Sequence, residues 1–280
     1  MVEQDLEMVD GAASNPGLLA LIEVARAARE IVAFTGAGIS TESGIPDYRG
    51  EGRDTRGPKV PSAAEFRRNP EVRRAYWESR RTRYPEMRAT APNAGHLALA
   101  VLERAGLVKA IITQNIDGLH QAAGSDPSRV VELHGTTHVV RCLDCGTTWD
   151  AQVIHERLEN GETVPACDRC GGPLRAATVL FGESVPREAL DRAIELAKSC
   201  DMMLVVGTSL VVNPAAKIPL IAKRSGARLA IVNRTLTPLD ALADVRIMGE
   251  SGPTLSALAT ALLGPETSHV LQSRPSDRDA

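Results

Sequence analysis

Four cysteines form two C-x-x-C pairs, Cys142-Leu143-Asp144-Cys145 and Cys167-Asp168-Arg169-Cys170, with twenty-one residues between them. Each pair can fold into a tight knuckle, and two knuckles complete a tetrahedral thiolate set. Gly146 and Gly171-Gly172 follow the pairs, where such turns need them. Free or redox-active thiols are the competing reading, and the doubled spacing favours a metal over them. Four protein ligands leave no open position, so the expected Zn2+ is structural, one per chain. The fifth cysteine, Cys200, opens a buried apolar stretch and reads as a packed core thiol.

A second chemistry sits in the stretch 31–49, IVAFTGAGISTESGIPDYR. The apolar run 31–35 predicts a buried parallel strand. Gly36-Ala37-Gly38 follows at once. Glycines at a strand end let the backbone approach a pyrophosphate, and free N–H groups there can bind its oxygens. This is half of a dinucleotide fingerprint, because Thr41 stands where the third glycine would fall. Gly44 and Pro46 interrupt any continuous helix, so Ser40, Glu42, Asp47 and Arg49 are expected on a loop beside the cradle. Later apolar runs end in polar clusters too: Gln114-Asn115-Ile116-Asp117, His134-Gly135, Gly207-Thr208-Ser209 and Asn233. Histidine titrates near neutrality and suits a base that takes a proton from a hydroxyl. On type alone His134 is equally a structural residue, and Asn115 with Asp117 reads as a polar strand-end turn.

These clusters need a frame. Asn15-Pro16 predicts an N-cap and a first-turn proline for a helix over 17–30. Residues 50–61 predict a loop, and 63–83 a basic helix whose arginines mostly form a solvated face. Asn93 predicts the cap of a helix over 94–105, ended by Gly106. Strands are expected at 108–113, 129–133, 202–206, 228–232 and 245–248, and helices at 187–199, 214–224 and 253–263. Residues 139–177 predict a small antiparallel ribbon with a short helix near 151–159. The class is α/β: a parallel sheet with helices on both faces, whose one ligand edge gathers every singled-out cluster. Residues 1–14 and 264–280 read as disordered tails.

A chain of 280 residues with formal charge −3 is no general nucleic-acid binder. No apolar run approaches the ~20 residues of a membrane span, and the acidic start MVEQDLEMVD lacks a signal-peptide core. Cytoplasmic residence and a monomer are the defaults. The paired cysteines suit a reducing compartment.

The block GAGIS-x-x-SGIPDYR resembles the sirtuin family. Four further blocks agree in order: Pro92-Asn93-Ala94-Gly95-His96, Thr113-Gln114-Asn115-Ile116-Asp117-Gly118-Leu119-His120, Leu133-His134-Gly135 and Gly207-Thr208-Ser209-Leu210. The resemblance spans roughly residues 16–263 and leans to the lipoamidase-type and bacterial branch. It implies a Rossmann-like NAD-binding domain from 15–50, 88–138 and 178–263. A cofactor loop and helical insert at 51–87 and a zinc-ribbon insert at 139–177 would interrupt it. The implied activity is NAD-dependent protein-lysine deacylation, giving nicotinamide, O-acyl-ADP-ribose and free lysine. The acyl oxygen would attack the nicotinamide ribose, and His134 would take a proton through that ribose. Implied NAD contacts are Gly36, Ala37, Gly38, Ser40, Asp47, Tyr48 and Arg49, the last on phosphate. Gln114, Asn115, Ile116 and Asp117 would meet the ribose and carboxamide. Gly207, Thr208, Ser209, Asn233 and Arg234 would meet phosphate and adenosine, with Glu250 and Ser251 near adenine. Val179, Phe181, Gly182 and Glu183 would receive acylated-lysine peptides as an added strand, with Val212 and Asn213 across the cleft. His96 and His120 would be packing or supporting residues.

Departures bear on the acyl group. Tyr48 replaces the more usual Phe, and Ala176-Ala177-Thr178 stands where Pro-Asp-Val is common. The Tyr-x-x-Arg clamp of desuccinylases is broken as Tyr76-x-x-Ser79, while Trp77-x-x-Arg80 keeps only the arginine. Succinyl-lysine is therefore not the expected best substrate. Competing readings are an NAD-dependent mono-ADP-ribosyltransferase and a non-catalytic NAD or ADP-ribose sensor, against which an intact His134 beside Asn115 and Asp117 argues.

Overall fold

The computed structural model describes residues 15–47 and 61–272. Tyr48, Arg49, the expected loop at 50–60, the tail 1–14 and residues 273–280 lie outside the described residues. In chain order the strands are β1 (Ile31–Thr35), β2 (Val108–Thr113), β3 (Val130–Glu132), β4 (Gly135–Cys142), β5 (Thr148–Asp150), β6 (Leu174–Thr178), β7 (Met202–Val206), β8 (Arg228–Val232) and β9 (Val245–Ile247). The helices are α1 (Pro16–Ala27), α2 (Ala63–Arg68), α3 (Pro70–Ala89), α4 (Ala94–Arg104), α5 (Leu119–Ala122), α6 (Ala151–Glu159), α7 (Arg187–Ser199), α8 (Ile218–Arg224), α9 (Ser251–Leu263) and α10 (Thr267–Gln272).

Six strands form one sheet in the order β3-β2-β1-β7-β8-β9, every pairing parallel. β1 and β7 are buried throughout, as strands covered on both faces must be. Successive side chains alternate between two cores. Ile31 and Ala33 face α1, α4 and α9 through Leu21, Leu99 and Leu258. Val32 and Phe34 face α7 and α8 through Ala193, Ala197, Ile218 and Ala222. The chain moves outward from β1 to β3, then restarts beside β1 with β7 and moves the other way. The carboxyl ends of β1 and β7 thus flank the switch point, where open α/β sheets place ligands.

A second sheet, β5-β4-β6, is antiparallel. It has its own core, in which Trp77 and Tyr84 of α3 pack on Val140, Ile154, Leu158 and Leu174. The ribbon and the helix at Ala151–Glu159 agree with the expectation.

Three segments differ from it. The helix expected over 63–83 is two helices, because Pro70 disfavours a helical conformation at Asn69, which is extended (φ −110°, ψ 111°) and caps the second. That second helix continues through Pro85 to Ala89. The first helix stops at Ala27, and the Asp201 carboxylate accepts from the N–H groups of Arg29 (2.8 Å) and Glu30 (2.9 Å) instead. The expected tail contains α10, held by burial of Leu271 among the residues of α4 and α9.

Candidate functional site

At the switch point the glycines serve the fold itself. A Cβ on Gly36 would lie 2.7 Å from the Thr208 Cβ, and one on Gly38 2.7 Å from the Gly207 Cα. Gly207 has φ +62°, and a Cβ there would lie 2.3 Å from the Ile39 nitrogen. The two strand-end turns therefore interlock, and no side chain fits between them. The expectation of free N–H groups is corrected here. Gly36 N–H donates to Val206 O (3.1 Å) and Gly38 N–H to Gly207 O (2.7 Å). Ala37 N–H, between them, makes no hydrogen bond among the described residues. Beyond it the chain makes tight 3-10 turns over Ala37–Ser43, ended by Gly44 at φ +89°.

The polar clusters join across this edge. Gln114 N–H donates to Thr35 O, and its Nε2 donates to Thr208 Oγ1 at 2.9 Å. Asn115 Nδ2 donates to Gly36 O (3.2 Å) and Ser40 Oγ (3.0 Å), and Ser40 Oγ donates to Asp117 Oδ2 at 2.7 Å. Asp117 Oδ1 accepts from Leu119 N–H. The Ser40 hydroxyl, expected on the cofactor, is thus spent inside the protein. Ile116 O accepts from Thr137 N–H. Gly207 N–H donates to Val232 O, which brings in β8 and Asn233. Asn233 turns its amide onto Thr235, and Arg234 pairs with Asp47 at 3.5 Å. Ser209 is half-buried beside them. Glu250 is exposed, while Ser251 is buried at the start of α9.

His134 leaves β3 half-buried. Its Nδ1 donates to Gln114 O at 2.9 Å, since a carbonyl can only accept. In the neutral ring Nε2 then carries the lone pair, and it makes no hydrogen bond among the described residues. His96 and His120 lie behind this site, fully buried, with ring centroids 5.0 Å apart. His120 Nε2 bonds Thr35 Oγ1 (2.9 Å), and His96 completes the cap of α4. Burial pushes His120 down to about 4, and burial together with His120 pushes His96 well below its ordinary value. Both are supporting residues, as expected, and neither is exposed to a ligand.

Val179 N–H donates to His134 O at 2.9 Å, so the expected peptide-binding segment starts on the backbone of the candidate base. Phe181 is 71% exposed and Gly182 turns the chain at φ +89°. Val212 and Asn213 are also exposed. Glu183 does not face outward as a free carboxylate. Both its oxygens accept from Arg175 Nη2 (2.9 and 2.8 Å).

Sequence reasoning passed over two residues that hold this edge together. Arg175 is one. His138, whose Nε2 donates to Asp117 O at 2.8 Å, is the other. Neither carries a signal that spacing displays. Glu42, expected on the loop beside the cradle, accepts from Gly252 N–H (2.8 Å) and so ties the 3-10 turns to the start of α9.

The four cysteines converge. Cys142 and Cys170 sulfurs are 3.5 Å apart, Cys145 and Cys167 sulfurs 3.6 Å, and all four lie within 4.8 Å of one another. A tetrahedron of Zn–S bonds of about 2.3 Å has edges of about 3.8 Å, so the donor set fits zinc. Gly146 (φ +73°) and Gly171 (φ +72°) close the two knuckles by donating back to Cys142 O and Cys167 O. Cys200 caps α7 rather than opening a strand. Burial, with Asp201 beside it, raises the pKa of its thiol to about 11, which fits a packed core residue.

This arrangement has known counterparts. Residues 36–214 match the model of the Sir2 family. An NAD-dependent protein deacylase 2 of Archaeoglobus fulgidus is 48% identical over 237 residues, covering 83% of this chain and 91% of that one. An NAD-dependent protein deacetylase 1 of Bradyrhizobium diazoefficiens is 45% identical over 229 residues, covering 81% and 89%. A solved Sir2 enzyme superposes with TM-score 0.77 at 44% identity, covering 88% of this chain and 97% of its own. A Sir2 complex with a p53 peptide and NAD+ superposes with TM-score 0.76 at 39% identity, covering 84% and 94%. With the interlocked glycine turns, the histidine after β3 and the four-cysteine ribbon all falling within residues 36–214, the chain belongs to the Sir2 family.

Proposed function

We propose that this chain is an NAD-dependent protein-lysine deacylase. It would transfer an acyl group from a lysine side chain to ADP-ribose, releasing nicotinamide and free lysine. NAD supplies, as co-substrate, the ribose carbon and hydroxyls at which that transfer takes place. The observation that carries the reading is the lock between His134 Nδ1 and Gln114 O, which leaves Nε2 as an unencumbered base at the sheet's switch point.

His134 takes a proton at Nε2, and the Gln114 carbonyl supports the imidazolium that results. Asn115 and Asp117, held by Ser40, orient the strand end on which the nicotinamide half rests. Ala37 N–H, with Gly36 and Gly38 keeping side chains away, faces the diphosphate. Gln114, Ile116, Thr208, Ser209, Gly207, Asn233 and Arg234 complete the NAD edge, with Glu250 and Ser251 toward adenine. Asp47 is assigned to the cofactor as well, with Tyr48 and Arg49, which lie outside the described residues. Val179, Phe181 and Gly182, with Val212 and Asn213 opposite, receive the acylated peptide. Residues 15–50, 88–138 and 178–263 form the NAD unit in this reading, with 51–87 and 139–177 as inserts. Cys142, Cys145, Cys167 and Cys170 hold a structural Zn2+. Among the described residues no helix is long and apolar enough to cross a membrane. Four thiols that must stay reduced suit a cytoplasmic setting.

The test is mass spectrometry of one peptide carrying acetyl-, butyryl-, longer fatty-acyl-, lipoyl- or succinyl-lysine, with and without NAD. Matching amounts of free lysine peptide and O-acyl-ADP-ribose, absent in His134→Ala, are expected. ADP-ribose attached to a protein target instead would overturn the reading in favour of transferase activity.

A further inference from the structure

The Val179–Glu183 segment follows β6, an edge strand of the small sheet among the described residues. An edge offers unpaired backbone groups to an incoming strand. Its geometry is held at both ends. At one end Val179 N–H is fixed to His134 O. At the other, the Glu183 carboxylate accepts from Leu180 N–H (2.9 Å) and, with both oxygens, from Arg175 Nη2. The Arg175 side chain is 1% exposed, against 26% for Glu183. Its Nη2 also reaches Thr178 O, while Nε and Nη1 are buried beside the Phe66 ring without hydrogen-bond partners among the described residues. A buried guanidinium with spare donors depends on its one carboxylate, because losing it leaves a charge uncompensated.

We propose that Glu183 is a positioning residue for the acyl-peptide: paired with Arg175, it sets the conformation of residues 179–182 that the peptide's backbone meets. This rests on the deacylase reading. Glu183 then acts on peptide affinity without touching the peptide, and NAD binding at the far side of the site does not depend on it.

The test is a double-mutant cycle on steady-state kinetics. Glu183→Gln keeps size and removes the charge. A hydrogen bond to a charged group lost in this way is expected to raise KM for acetyl-lysine peptide about tenfold. KM for NAD and kcat should stay within about twofold. In an Arg175→Met background the same Glu183→Gln change should add less than about twofold, since the partner is already gone. An equal rise in both backgrounds means direct peptide contact and overturns the proposal. A lower Tm with unchanged KM also overturns it, leaving only a stability role. Amide exchange at Leu180 provides a readout independent of turnover. It should be about tenfold faster in Glu183→Gln while the Leu229 amide is unaffected, and equal Leu180 exchange overturns the proposal even if Arg175→Met fails to fold. If the wild type processes no acylated peptide, the deacylase reading fails, and Leu180 exchange still decides whether the pair sets the segment.

Discussion

His134 donates its Nδ1 proton to the carbonyl oxygen of Gln114 across 2.9 Å, which joins the end of β3 to the end of β2. Because the acceptor is main chain, no side-chain change can remove it, and the tautomer is written into the parallel pairing of the two strands. A base whose free nitrogen is fixed this way contributes typically about 10²–10⁴-fold. His134→Ala should lower deacylation by that order with Tm and zinc content unchanged. Retention of more than about a tenth of wild-type kcat would move the base elsewhere in the site.

The buried imidazoles behind the site make the fold acid-sensitive. His120 and His96 stay neutral in the fold, while unfolded each protonates near pH 6.5. Below that pH the unfolded chain binds more protons, so their contribution is complete above 6.5 and is lost as pH falls below it, for His120 down to about 4. For His120 the loss across that window is about 3 kcal/mol. Asp244 does not share the window: burial raises it, but Lys223, the Leu229 N–H and Arg228 outweigh this and hold it at about 2, so its contribution is lost only in stronger acid. Glu132, raised by burial, acts in the opposite sense and trims the effect. Urea melts at pH 7.5, 6, 5 and 4.5 should show a falling midpoint. A flat profile to pH 5 would mean that the pair is not buried in solution.

What the sequence disclosed and what it hid divide along contact range. The runs at 31–35, 108–113 and 202–206 were legible as strands because residues buried on both faces must be largely apolar; Lys109 alone among them is an exposed charge. The four cysteines were legible because their spacing is local. The helix break at Asn69-Pro70 was written locally too, but arginine-rich periodicity on both sides masked it. Glu42 and Gly252 meet across 210 positions, and nothing at either end announces the other. The glycines were legible as a backbone approach to a pyrophosphate, while a second cause for them was hidden. Gly36 and Gly38 clear room first for Gly207 and Thr208, a relation that exists only once β1 and β7 are neighbours. Glu183 was assigned to the peptide by the resemblance of its segment alone, and only the buried Arg175 reveals where its carboxylate turns.

Zinc should hold the small sheet together. The Cys142, Cys145, Cys167 and Cys170 sulfurs surround a volume of tetrahedral size, and the core around Trp77, Ile154 and Leu174 is too small to stand without the metal. Elemental analysis should give one zinc per chain. Cys145→Ser or exhaustive chelation should cost at least about 3 kcal/mol, which in a chain of this size lowers Tm by roughly 5 °C. Far-ultraviolet circular dichroism should keep most of its helical signal, because the parallel sheet and its helices do not use the metal. An unchanged Tm in metal-free protein would remove zinc from the account.

Acyl preference can be argued from one arginine. Arg80 was the candidate for gripping an acidic acyl group, but its guanidinium is already committed. Nη1 donates to Thr137 Oγ1 (2.9 Å), Nη2 to Thr137 O (2.6 Å), and the group lies 4.9 Å above the Tyr84 ring. Freeing it for a carboxylate would sacrifice hydrogen bonds that bind α3 to β4. Succinyl-lysine should therefore show a lower kcat/KM than acetyl-lysine. Arg80→Ala should leave that ratio unchanged while lowering stability by about 1.5–3 kcal/mol, the usual worth of hydrogen bonds to a charged group. Competition assays with the two peptides in one reaction measure the ratio directly. If succinyl-lysine wins and Arg80→Ala abolishes its lead, Arg80 must leave Thr137 when substrate arrives, and the helical insert rather than the sheet edge selects the acyl group.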